Sequence, residues 1–197
     1  MAKDEMTVST RISTSLDASI EAIESLRARS AAIESACEVV VDALQAGNKI
    51  LTAGNGGSAA ESLHMAEECV GRFRGNRRSL PAVSLVADCT ALTCIGNDFG
   101  FDSIFSRQIE GLGQPGDVLI LFSSSGRAVN LTLALEAAKA RGMKTVALLG
   151  RDGGSLAGCA DVEIVVPGAA TERIQEAHQV LLHLILNEVE HAFPVGE

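Results

Sequence analysis

The sequence has no tryptophan and no tyrosine, and its aromatic side chains are six phenylalanines in 197 residues. A stacking platform for bases or glycan rings is therefore not expected. Positive charge is scarce too: 16 Lys and Arg against 25 Asp and Glu leave a net charge of −9. That balance argues against sequence-independent nucleic-acid binding, which depends on clustered cations that neutralise phosphates. The only basic cluster, Arg72, Arg74, Arg77 and Arg78, reads as a solvated loop. Long apolar runs are missing as well. None reaches the roughly 18 residues of a membrane span, and the longest, 118–122 and 162–166, have strand length. The five cysteines (Cys37, Cys69, Cys89, Cys94 and Cys159) are odd in number and form no CxxC pair. Reduced thiols fit this better than a disulfide frame or a structural zinc site. Residues 1–10 lack the apolar core of a signal peptide, so the expected location is the cytoplasm.

What is abundant is small and aliphatic, which suits buried parallel strands and closely packed helices. Residues 9–46 read as two helices. Ile12, Leu16, Ile20, Ile23 and Leu26 recur at spacings of three and four, an apolar stripe with no partner of its own. Such a first helix often packs on another subunit. After Gly47 the pattern alternates: strands at 49–53, 82–86, 117–122, 145–149 and 162–166, with helices at 59–72, 90–95, 129–141 and 171–192. Nearly all-apolar strands alternating with helices predict a doubly wound α/β domain, a mostly parallel five-stranded sheet covered on both faces. The expected division is an N-terminal helical arm, 1–46, followed by the α/β domain, 47–197.

Two strand-to-helix turns carry ligand chemistry. In Gly54-Asn55-Gly56-Gly57-Ser58 the glycines let backbone approach a ligand. Neither GxGxxG nor GxxxxGK[ST] occurs, so no nucleotide cofactor is expected. Ser123-Ser124-Ser125-Gly126 places three hydroxyls at a helix start, where free N–H groups and the dipole favour an anion. Ordinary capping would use the same residues. Two such turns at carboxyl ends of strands in one sheet favour a site, because ligands bind there. On the helix after the first turn, His64 and Glu68 are four residues apart and share a face. They can hold a divalent metal or set a carboxylate beside substrate, and an exposed polar helix face gives the same spacing. In the last helix His183 lies among leucines and needs a partner. His178 and His191 read as surface or interface histidines.

At these residues the chain resembles the phosphoheptose isomerases of the sugar isomerase (SIS) domain superfamily. The likeness runs over about 47–193. It rests on Gly54-Asn55-Gly56-Gly57-Ser58-Ala59-Ala60, His64-Met65-Ala66-Glu67-Glu68, Gly96-Asn97-Asp98-Phe99-Gly100, Phe105-Ser106-Arg107-Gln108, Gly116-Asp117-Val118-Leu119, Ser123-Ser124-Ser125-Gly126 and Arg173-Ile174-Gln175-Glu176 with His178 and His183. The resemblance implies a homotetramer with active sites shared between subunits. It implies conversion of sedoheptulose 7-phosphate to D-glycero-D-manno-heptose 7-phosphate, the first step towards the heptose of bacterial surface glycans. By the same resemblance Asn55, Gly56, Gly57, Asn97, Asp98, Ser123, Ser124, Ser125 and Gln175 line the substrate site, with Ser58 in the phosphate shell. His64, Glu68, Gln175 and His183 match zinc ligands, and Glu68 and His183 match the acid/base pair. Gln175 and His183 are eight residues apart, about 12 Å along a helix. Both reach one ion only if their side chains converge or come from different subunits. The chain departs from the family at Ala128, where relatives carry a serine that reaches the phosphate. The rival readings are a non-enzymatic SIS protein that binds a replication-initiation or regulatory partner, and an isomerase of another phosphosugar. The former is expected to lack the carboxylate and the terminal imidazole, and this chain has both.

Overall fold

The structure, a computed structural model, describes residues 7–194. The first six and last three residues, on which the leader reading and the outer domain limits partly fall, lie outside the described residues. Helix α1 (Val8–Glu24) starts at Thr7, whose hydroxyl accepts from the Thr10 N–H, and a 3-10 turn (Ser25–Arg29) leads into α2 (Ser30–Gln45). Then follow β1 (Ile50–Gly54), α3 (Gly57–Val70), β2 (Ala82–Ser84), α4 (Cys89–Phe99), α5 (Ser106–Leu112), β3 (Val118–Ser123), α6 (Val129–Ala140), β4 (Lys144–Gly150), β5 (Val162–Val166) and α7 (Thr171–Ala192).

The five strands form one sheet in the order β2-β1-β3-β4-β5, and every pairing is parallel. Successive residues of a strand point to opposite faces, so an all-apolar strand needs cover on both. Val118, Ile120 and Phe122 of β3 join Val146 and Leu148 of β4 beneath α2, α3 and α7. Leu119 and Leu121 join Ala147 and Leu149 beneath α5 and α6. The strand order reverses direction between β1 and β3. Such a switch point leaves a crevice at the carboxyl ends of the two strands, where ligands of doubly wound sheets bind.

The expected strands and helices are present with ends shifted by a few residues. One element was unread, α5, whose seven residues are too few to show a helical period. The boundary expected after residue 46 falls in the turn before β1. Helix α2 is nonetheless part of the same body, with Ala36, Cys37, Val40 and Leu44 in the core under the sheet. Helix α1 differs: Val8, Ile12, Leu16 and Ile20 are each more than half exposed.

Candidate active site

Both glycine- and serine-rich turns lie at the switch point. β1 runs into Asn55, and Gly56 turns the chain into α3 at φ +59°, a conformation open to glycine. Gly57 then opens α3, and a Cβ there would collide with the Gln175 side chain from α7. Gln175 is thus packed directly on the first turn. β3 ends in Ser123, whose Oγ accepts from the Gly126 N–H at 3.0 Å, while Ser125 Oγ accepts from the Arg127 N–H at 3.3 Å. Gly126 sits at φ +61°, and a Cβ there would overlap the Gly153 carbonyl. The serine turn is therefore held closed from within and backed by the loop after β4.

The residue at the N-cap of α6 is Ala128, and no side chain caps this helix. Its first N–H groups and positive dipole end face the serine turn without a side-chain acceptor, an arrangement that suits an anion. Arg127 leans away to Asp152, Nη2 to Oδ2 3.0 Å. The N–H of Gly154 and the Arg127 charge hold the Asp152 carboxyl below the usual range. The two turns are tied together by a reciprocal amide pair: Asn55 Nδ2 donates to Asn130 Oδ1 and Asn130 Nδ2 donates to Asn55 Oδ1, each at 2.9 Å. Asn130 is buried, and the sequence reading passed over it.

Two turns further along α3, three side chains meet. His64 Nε2 is 3.3 Å from Glu68 Oε1. The rings of His64 and His183 are 5.2 Å apart, edge to face. Phe73 stacks on His183 at 5.8 Å, and the Arg74 guanidinium lies over Phe73. The His183 imidazole is held below its ordinary pKa of 6.5, chiefly by burial and then by His64 and Arg74, while Glu68 pulls the other way. His183 is therefore biased toward the neutral, proton-accepting form.

Donor atoms of His64, Glu67 and Glu68 lie within 4.8 Å of one another. Imidazole nitrogen and carboxylate oxygen are ordinary zinc donors, so the cluster fits a divalent ion. Gln175 stands apart, two turns before His183 on α7, and between them Gln179 meets His64 Nδ1 at hydrogen-bond distance. Asn97 and Asp98 are exposed at the end of α4 and bond to each other, Nδ2 to Oδ1 2.7 Å. Among the described residues no hydrogen bond or ion pair links them to either turn.

Two further readings need correcting. His178 is fully buried, not a surface histidine: its Nε2 lies 3.3 Å from the Leu149 carbonyl, and its Nδ1 faces Glu61 Oε2 at 3.8 Å. Glu61, itself buried on the first turns of α3, had no signal in the sequence beyond its spacing from His64. Arg77 is buried as well, although its cluster read as a solvated loop. It donates to the carbonyls of Glu68, Cys69 and Arg78 at 2.8–3.0 Å and pairs with Glu190. The long side chain reaches inward to carbonyls at the end of α3 that the helix leaves free.

A doubly wound parallel sheet with its ligand turns at the switch point defines the class, and the SIS domain family model matches residues 15–150. The phosphoheptose isomerase of Geobacter sp. (strain M21) is 53% identical over 161 residues, covering 82% of this chain and 84% of that protein. That of Vibrio cholerae is 48% identical over 161 residues, 81% and 84% of the two chains. Among solved structures, the phosphoheptose isomerase of Neisseria gonorrhoeae superposes with a TM-score of 0.89 at 40% identity, over 94% of this chain and 100% of that one. The Francisella tularensis enzyme gives 0.91 at 34% identity over the same shares. The chain belongs to the phosphoheptose isomerase family of SIS-domain proteins.

Proposed function

We propose that this chain is an aldose–ketose isomerase that converts sedoheptulose 7-phosphate to D-glycero-D-manno-heptose 7-phosphate, in the cytoplasm, as the entry to heptose biosynthesis. The observation that carries the reading is the meeting of Glu68, His64 and His183 beside two anion-type turns at the switch point. The phosphate of the substrate binds the 123–126 turn and the uncapped start of α6. Asn55, the Gly56–Gly57 backbone and Gln175 lie along the sugar, and Ser58 joins the phosphate shell. The carbonyl end then reaches the cluster on α3 and α7.

Isomerisation moves a proton between C1 and C2 through an enediol, which requires one group at carbon and another at the hydroxyl oxygens. Glu68 supplies a carboxylate and His183 a neutral imidazole. Burial of His183 serves the chemistry, because a protonated imidazole has no lone pair to accept with. Zinc is the proposed cofactor: His64, Glu68 and His183 would hold it, with Gln175, which stands apart within one chain, as the fourth ligand once the side chains converge or a second subunit supplies it. When bound it would polarise the sugar carbonyl as a Lewis acid. A ring bound to the ion has its lone pair committed, so the ligand and acid/base roles of His183 compete. The proposed assembly is a homotetramer. Asn97 and Asp98, isolated within one chain, then line a site completed between subunits.

Glu68→Gln keeps the shape and removes the base. Turnover of sedoheptulose 7-phosphate should fall by about 10³-fold, while the substrate still raises the melting temperature. Wild-type turnover in Glu68→Gln would remove Glu68 from its role. The same assay with and without a chelator tests the metal. Arabinose and hexulose phosphates as competitors test the effect of Ala128 on substrate choice.

A further inference from the structure

Both ring nitrogens of His64 are engaged. Nε2 faces Glu68 Oε1 at 3.3 Å, and Nδ1 faces Nε2 of the Gln179 side-chain amide at 3.0 Å. Gln179 Oε1 is buried without a hydrogen-bond partner among the described residues until the amide turns over. Gln179 reaches His64 from α7, one turn after Gln175 and one turn before His183, on the helix face that carries both.

A neutral imidazole has one N–H and one lone pair, so the partner at Nδ1 decides what Nε2 presents to Glu68. The two ends of a glutamine amide exchange by a half-turn of the terminal torsion. With the NH2 group toward Nδ1, the ring proton sits on Nε2 and is given to Glu68. The pair then satisfies itself, and neither atom is free to ligate. With Oε1 toward Nδ1, the ring proton sits on Nδ1, and a lone pair on Nε2 points at a carboxylate oxygen 3.3 Å away. Two such atoms attract only through a cation between them. Gln179 also covers Nδ1, so an ion shared with Glu68 must meet Nε2.

We propose that Gln179 is a positioning residue that selects the tautomer of His64: its side-chain oxygen accepts the Nδ1 proton and turns the Nε2 lone pair toward the ion shared with Glu68. The proposal rests on the zinc reading above and extends it to a residue that would touch neither metal nor substrate. Partners of this kind fix ring orientation and raise ligand basicity, and their loss typically weakens metal binding by about 10–100-fold. A carboxylate at 179 would accept the same proton. A leucine would not.

The test uses the full chain, stripped by chelator, as wild type, Gln179→Glu and Gln179→Leu. Zinc is titrated in competition with a chromophoric chelator, and 15N-labelled histidine reports the His64 tautomer, assigned with His64→Gln. Gln179→Glu should bind zinc within a few-fold of wild type, and Gln179→Leu about 10–100-fold more weakly. Zinc-loaded wild type should show His64 protonated at Nδ1 and ligated at Nε2. Equal affinity in Gln179→Leu, or ligation through Nδ1, overturns the proposal; rescue by Gln179→Glu separates it from a packing effect. A wild type that takes up no zinc sinks the metal reading, and the metal-free spectra then decide for Gln179. Nδ1 protonation in wild type that is lost in Gln179→Leu supports selection, and one tautomer in both overturns it.

Discussion

His183 shows how one residue acquires its chemistry from its surroundings. Leucines flank it in sequence, yet the ring is only half-buried and turns toward His64 and Phe73. Burial, then His64, then Arg74 lower its pKa. A folded-state pKa below the unfolded value means the unfolded chain takes the proton more readily. His183 then contributes no stability penalty above pH 6.5, and stability declines as pH falls below 6.5 towards its folded value. In metal-free protein the His183 ring signal should titrate below pH 6.5, and Arg74→Gln should raise that midpoint by removing one cause. A midpoint at or above 6.5 in the wild type would show that the pocket does not favour the neutral ring. At this scale the sequence was uneven. The i, i+4 rule brought His64 and Glu68 together, because helix geometry makes four residues one turn. His178, Glu61 and Gln179 were misread or passed over, because their partners lie on other elements and no local spacing announces a contact between α3 and α7.

At the scale of elements, α3 carries most of the site, and its ending matters as much as its start. Its C-terminal carbonyls have no intrahelical partner, and Gly71 follows without a left-handed cap. Arg77 supplies the donors from the loop beyond, holding the carbonyls of Glu68 and Cys69 while pairing with Glu190 of α7. The side chain that fixes the backbone of Glu68 therefore also ties α3 to α7. Arg77→Ala would leave buried carbonyls and a carboxylate without their cation, at a cost of about 3 kcal/mol, or a fall in melting temperature of about 6–12 °C. Arg77→Lys should recover little, because one ammonium cannot reproduce a planar fork of donors. A melting curve unchanged in Arg77→Ala would show that water replaces the guanidinium. The elements themselves were largely legible, since an apolar strand alternating with a helix leaves few arrangements. The buried arginine was not, because four arginines in seven residues look alike until the fold gives one of them carbonyls to reach.

At the scale of the molecule, the chain buries one body and leaves one arm bare. Val8, Ile12, Leu16 and Ile20 form a single stripe along α1, each more than half exposed. The arm meets α7 where Arg173 donates to the Ser15 carbonyl and Ser19 Oγ, and Ala22 joins the core that α7 lines. Beside it, a groove of about 1030 Å³ runs between α1–α2 and α7, lined by Ile23, Leu26, Ile33, Val180 and Leu184 together with the carboxylates of Glu34 and Glu188. An apolar stripe next to a largely apolar groove is a surface that folding alone has not finished burying. In the proposed assembly a second copy of the same chain would offer the complementary groove for each stripe, which closed symmetry allows. The unpartnered stripe was readable from spacing alone; what covers it was not, because no pattern within one chain encodes the position of another. Ile12→Asp with Leu16→Asp should therefore lower the solution mass from the proposed four copies of 20.5 kDa towards one, measured by sedimentation. Turnover should fall with it if, as proposed, Asn97 and Asp98 line a site completed between subunits. A wild type that sediments as a monomer, or a double variant that keeps the wild-type mass, would show that the arm serves another purpose.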